Sequence, residues 1–183
     1  MQKEIEKQDF GEALPDFSLT DLSGKAVSLS QSLEGKQGAV VLFWSSTCSH
    51  CVRYDATFNS FGARHPDLAF LVLASRVGET ADEVKIAAAE RKISFRVILD
   101  PGGKVAREWH TQQTPRAFLM DSERRLCYRG AVDNFKYPED PEYVAYLEPA
   151  IVEYLSGTPV TRPETASYGC AIQSVYYMLP KAL

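Results

Sequence analysis

Residues Gly38 to Cys51 constrain the fold of this chain more than any other stretch. Val40-Val41-Leu42-Phe43-Trp44 is continuously apolar without polar alternation, the pattern of a central strand covered on both faces. The strand has to stop at Ser45-Ser46-Thr47, so Cys48 and Cys51 stand where a helix begins. A thiolate at such a junction faces unpaired backbone N–H groups and the positive end of the helix dipole, both of which lower its pKa. The first cysteine is then expected to be the more exposed and the attacking thiol. Cys51, one turn further in, is placed to resolve a mixed disulfide by attack on Cys48.

The flanking sequence supplies elements that cover such a strand. Phe17–Thr20 and Ala26–Leu29 flank a turn at Asp21, Ser23 and Gly24 and read as a hairpin. Val52–Ala63, closed by His65-Pro66, reads as one helix. Leu68–Ser75 repeats the doubly covered strand pattern, and Thr80 with Glu83 forms a capping box for a helix running to about Lys92. Phe95–Leu99 is a short strand, Asp100–Gly103 a turn and Val105–Trp109 a short helix. Arg116–Met120 and Leu126–Arg129 form a hairpin. Pro141–Leu155 has helical spacing, with Pro149 predicted to kink or divide it. Alternating strands and helices ending in a hairpin describe an α/β protein, a central mixed and mostly parallel sheet with helices on both faces.

Composition narrows the partners. The 183-residue chain carries a net charge of −4 and no Lys/Arg cluster, which argues against nucleic acid and points to small molecules or proteins. No apolar run is long enough to span a membrane, and the first residues, Met1 to Gln8, are polar. A cytoplasmic location is expected if the chain is full length, and a periplasmic or exported one if a leader preceded it. Four cysteines at uneven spacing do not make a structural disulfide framework. Zinc would need two ligands beyond Cys48 and Cys51, and Cys127, Cys170, His65 and His110 are each isolated in sequence. Neither a metal nor a cofactor is therefore expected.

Trp44 to Cys51 at a strand–helix junction, Thr114-Pro115 just before a strand, and Pro15-Asp16-Phe17 ahead of the hairpin together resemble the thioredoxin-like superfamily. The nearest branch is that of redoxin proteins related to peroxiredoxins and cytochrome-maturation thiol reductases. Asp100–Arg107, Leu126–Asn134, Ser156–Pro159 and Gly169-Cys170-Ala171-Ile172 resemble a bacterial group with Cys-x-His-Cys and a C-terminal Gly-Cys. The resemblance implies a single thioredoxin-like domain, with a core of about residues 11–156 and a C-terminal extension over 157–183. It also implies thiol–disulfide exchange through Cys48 and Cys51 with protein or small-molecule thiols and disulfides. His50 would adjust the redox poise of the pair. Pro115 would be cis, Thr114 would contact substrate, and Trp44 would be a core or rim aromatic that helps cover the disulfide.

The resemblance is incomplete. Cytochrome-maturation reductases carry a Glu three residues after the second cysteine, where this chain has Tyr54, leaving Asp55 as a candidate proton acceptor. An antioxidant, peroxide-reducing alternative would use Cys48 as the peroxidatic thiol, with Ser45 in the place of the usual Thr and Val41 where Pro is expected. A copper- or metal-binding module on the same fold is a further alternative, with His110 as an added ligand. Cys170 reads either as a third redox thiol or as a small packing residue, and Cys127 as structural. Val175–Leu179 is apolar enough to imply docking on the domain or on a second copy of the chain.

Overall fold

At the centre of the protein lies a seven-stranded sheet, seen in a computed structural model whose described residues are 7–173. The predicted docking segment Val175–Leu179 lies outside them. Strands β1 (Ser18–Asp21), β2 (Ala26–Ser28), β3 (Gly38–Trp44), β4 (Leu68–Ala74), β5 (Val97–Leu99), β7 (Arg116–Asp121) and β8 (Leu126–Gly130) are ordered β2-β1-β5-β4-β3-β7-β8. Parallel pairing is confined to β3/β4 and β4/β5, and the other neighbours in this sheet are antiparallel. The sheet is thus mixed with a parallel centre, not mostly parallel. The predicted N-terminal hairpin is not a separate element, because β1 pairs with β5 and extends the sheet.

Every residue of β3 is buried, as its unbroken apolar sequence requires. The alternation of a strand divides those side chains between two cores. Val41 and Phe43 face one layer with Phe17, Leu29, Val105, Trp109 and Phe118, which packs α1 (Leu29–Ser32) and α6 (Lys104–Glu108) on the sheet. Val40, Leu42 and Trp44 face the other with Cys48, Cys51, Phe58, Phe61, Val84 and Ile151. That second layer belongs to α2 (Ser49–Val52), α3 (Asp55–Asn59), α4 (Phe61–Arg64), α5 (Ala81–Glu90) and α7 (Leu147–Leu155). The capping box of α5 forms as expected: Glu83 N–H donates to the Thr80 hydroxyl at 3.2 Å, and Thr80 N–H to the Glu83 carboxylate at 2.7 Å.

The segment after Cys51 departs from the single predicted helix. It is three short pieces, and the turns at Cys51 and Tyr54 close by three-residue hydrogen bonds of 3.0 Å each. Buried polar contacts accompany this irregular path. The Tyr54 hydroxyl donates to Asp133 at 2.6 Å, and Asp55 receives two hydrogen bonds from Arg91 at 2.7 and 2.8 Å. The predicted helix over 141–155 also begins later, at Leu147, because Asn134 engages the preceding residues: Val144 N–H donates to its side chain at 3.1 Å. Pro149 therefore falls in the first turn, where its missing N–H would have had no partner in the helix, and it neither kinks nor divides α7.

Beyond α7 the chain returns across the sheet edge. Arg129 N–H donates to the Pro163 carbonyl at 2.9 Å, and its guanidinium holds Glu164 at 2.8 Å. A short antiparallel pair, β6 (Gln113–Thr114) with β9 (Cys170–Ala171), then fixes the end of the described chain. Among the described residues no helix is long and apolar enough to cross a membrane. Pro149→Ala is expected to change stability by less than about 1 kcal/mol in urea unfolding, whereas removing a proline from a helix interior would stabilise by about 3 kcal/mol.

Candidate active site

Cys48 caps α2 with an extended backbone, φ −86° and ψ 109°. The Cys51 N–H returns to the Cys48 carbonyl at 3.0 Å, which keeps both thiols on the side of the sheet occupied by Val40, Leu42 and Trp44. Opposite them lies Thr114. Its carbonyl accepts the Cys48 S–H at 3.2 Å, and the Thr114–Pro115 peptide is cis.

Cys48 is not the more exposed thiol that its position at the helix start predicts. Both Cys48 and Cys51 are buried, because the C-terminal segment closes over the site. In the β6/β9 pair Thr114 stands opposite Cys170, Ile172 N–H donates to the Gln112 carbonyl at 2.9 Å, and Val77 N–H donates to the Ile172 carbonyl at 2.8 Å. Ile172 is itself buried in the core on the Phe43 side. At Gly169 the backbones approach so closely that a methyl group would overlap the Thr114 carbonyl oxygen.

This closure joins residues that stand apart in sequence. Cys170 was isolated by spacing, yet its Sγ lies 3.6 Å from His50 Nδ1. The Cys48 and Cys170 sulfurs and a His50 nitrogen all fall within 4.8 Å of one another. Two cysteine sulfurs and an imidazole at that separation are a donor set suited to a soft cation. The only sequence signal for the contact was the Gly-Cys in the tail. His50 also lies against the Phe135 ring, centroids 4.8 Å apart, and Arg53 donates to the Phe135 carbonyl at 2.9 Å.

The thiols are electrostatically unlike. Hydrogen bonding from the Cys51 S–H lowers the Cys48 pKa most; burial opposes it, Cys170 and Thr114 add to it, and the result is about 4. Burial, followed by the Cys48 thiolate, pushes Cys51 well above its ordinary value. The first proton of the pair therefore leaves Cys48. Burial and the same thiolate raise Cys170.

Other predicted residues take more ordinary places. Trp44 is fully buried, with Arg91 4.6 Å above its ring and its indole N–H 3.4 Å from Asp55. Asp55 is not a free proton acceptor, since Arg91 grips both its oxygens. The Ser45 hydroxyl bonds Glu79 at 3.0 Å and Thr47 at 3.2 Å, not Cys48. His110 lines a groove with Arg107, Gln112 and Ile172; it is His50 that approaches the thiols. His65 is engaged by Glu148 at 2.9 Å. Cys127 points its Sγ at the Arg125 carbonyl, 3.3 Å away, and burial raises its thiol to about 11.

A Cys-x-x-Cys pair at the end of a buried central strand, faced by a cis X-Pro on a mixed sheet with helices on both faces, defines a thioredoxin-like protein. The chain belongs to the AhpC/TSA family, which its residues 10–129 match. It is similar to the thiol-disulfide oxidoreductase ResA of Bacillus thuringiensis subsp. konkukian (strain 97-27), 27% identical over 121 residues that cover 66% of this chain and 69% of that protein. A hypothetical protein of Sinorhizobium meliloti 1021 has a solved structure with TM-score 0.79 at 26% identity, covering 93% of this chain and 97% of that one. The thioredoxin domain of a thiol-disulfide oxidoreductase from Bacteroides vulgatus gives TM-score 0.55 at 21% identity, with coverage of 66% and 86%, and shares the fold.

Because the docked tail covers Cys48, Gly169→Ala is expected to speed alkylation of reduced Cys48 by iodoacetamide. The increase should be about tenfold for each ~1.4 kcal/mol taken from the docked state. Peptide mapping after timed quenching measures it, and an unchanged rate would mean that the tail does not control access.

Proposed function

We propose that this protein is a thiol–disulfide oxidoreductase in which Cys48 attacks a disulfide and Cys51 resolves the product. The observation that carries this reading is the placement of two adjacent buried cysteines at the end of β3 against the cis Thr114–Pro115 peptide, with Cys48 the more acidic of the two. The Cys48 thiolate attacks one sulfur of a substrate disulfide, forming a mixed disulfide and expelling the other sulfur as a thiolate. Cys51 then loses its proton and attacks Cys48 Sγ, which closes the Cys48–Cys51 disulfide and releases the second substrate thiolate. The leaving thiolates take up protons from solvent, so the substrate gains two electrons and the pair loses two. Run in reverse, the same steps oxidise a dithiol.

The lowered Cys48 pKa sets a direction. A thiol depressed in the folded protein stabilises the reduced form most fully above the ordinary thiol range, near 9, and loses that stabilisation as pH falls through about 4. Near neutrality the reduced pair is favoured, so the pair is a stronger oxidant than one built from ordinary thiols. Thiols and disulfides are the substrate class that the name of the similar thiol-disulfide oxidoreductase supports. Peroxide reduction has weaker support, since Ser45 is turned toward Glu79.

Two measurements test the reading. Cys48→Ser should reduce the catalysed rate of insulin reduction by dithiothreitol to the uncatalysed rate; an unchanged rate in the variant overturns the assignment. In the reduced wild type, thiolate absorption at 240 nm should show one group titrating near pH 4 that is missing in Cys48→Ser.

A further inference from the structure

The proposed pair leaves one thiol unused, and it touches the attacking one. Cys170 rides on β9 opposite Thr114, whose carbonyl oxygen lies 3.2 Å from the Cys48 sulfur, so a single backbone residue positions both sulfurs. The tail that presents Cys170 is fixed on either side of it, by the close approach of Gly169 to Thr114 and by burial of Ile172. His50, between the two pair cysteines in sequence, directs Nδ1 at Cys170 Sγ from 3.6 Å. A thiol within hydrogen-bond reach of an imidazole is the arrangement of a nucleophile with its base. Cys51 lies deeper than Cys170, which is only partly buried.

Resting on the reading of Cys48 as the exchanging thiol, we propose that Cys170 is a third exchanging thiol, activated by His50, that resolves mixed disulfides at Cys48 before Cys51 does. The tail opens to admit a substrate disulfide, and Cys48 forms the mixed disulfide with release of one substrate thiolate. When the tail redocks, His50 takes the Cys170 proton and the Cys170 thiolate attacks Cys48 Sγ. The Cys48–Cys170 bond forms, the Cys48–substrate bond breaks, and the second substrate thiolate leaves. The Cys51 thiolate, its proton given to solvent, then attacks Cys48 Sγ. Cys48–Cys51 forms, and Cys170 departs as a thiolate that recovers the proton from His50. The net change is one substrate disulfide reduced and one protein disulfide formed. The docked tail thus behaves as a tethered substrate that discharges bound cargo even while Cys51 remains protonated.

The same three donors have the spacing of a soft-metal site, but a metal there would take Cys48 and leave the contact between Cys51 and Cys48 without a role.

The experiment uses reduced full chain, oxidised glutathione, acid quenching, alkylation with N-ethylmaleimide and mass-spectrometric peptide mapping. In Cys51→Ser the expected product is a Cys48–Cys170 disulfide with two glutathiones released per chain. A stable Cys48–glutathione adduct with Cys170 alkylated and one glutathione released overturns the relay while leaving Cys48 as the exchanging thiol. Should Cys51→Ser not fold, wild type quenched at short times supplies the same test: Cys48–Cys170 should precede Cys48–Cys51, and direct passage to Cys48–Cys51 overturns the relay. His50→Asn should slow the second glutathione release by about tenfold to a hundredfold; an unchanged rate overturns the base assignment. One Zn(II) bound by reduced wild type, lost in Cys170→Ser and shielding Cys170 from alkylation, overturns the relay in favour of a metal site. No glutathione released by wild type removes the exchange reading itself and the relay with it.

Discussion

The structure depends on the complete burial of β3. A strand with no exposed residue needs a strand on each edge and a packed layer on each face, and β4, β7 and the two helical layers supply them. Its alternating side chains belong to two separate cores, so the strand is fixed from both sides. Fixing β3 fixes the point at which it ends. Cys48 therefore emerges at a defined place beyond the C-terminal end of β3, opposite the Thr114–Pro115 peptide between β6 and β7.

The site itself is completed from the other end of the chain. Arg129 grips Glu164 and holds its carboxyl down to about 2, and Thr165 bonds Tyr128 at 2.7 Å and the Ala131 N–H at 3.0 Å. Gly130 has a φ of 156°, and a side chain there would collide with Thr165. Gly169 and Ile172 continue the docking up to the cysteines. Each contact is modest, but in series they convert an extension into the lid of a buried thiol. Burial usually raises a thiol pKa. At Cys48 hydrogen bonding from Cys51, with Cys170 and Thr114, outweighs it, whereas at Cys51 burial, followed by the contact with Cys48, prevails and raises the thiol.

Much of this was legible in advance. The unbroken apolar run of 40–44, the capping box at Thr80 and the hairpin of 116–129 rest on local rules, and each forms where those rules put it. The failures share a cause. One helix after Cys51, a kink at Pro149 and an exposed Cys48 were all expectations from local pattern, and in each case contacts from distant residues decided otherwise. Asp133 and Arg91 engage Tyr54 and Asp55, Asn134 occupies the residues before α7, and the segment around Cys170 covers Cys48.

The sequence by itself determined the central strand and the placement of Cys48 and Cys51 at its end, because periodicity and spacing are properties of neighbouring residues, and its resemblance to a known family pointed to the thioredoxin-like class. Only the tertiary structure decided that Cys48 is covered, that Asp55 is committed to Arg91 and that His50 faces Cys170. His50 and Cys170 are 120 residues apart, and no spacing rule carries information over that distance. What brings them together is the backbone pairing of β6 with β9 and the room that Gly169 leaves against Thr114, both of which exist only once the sheet has formed.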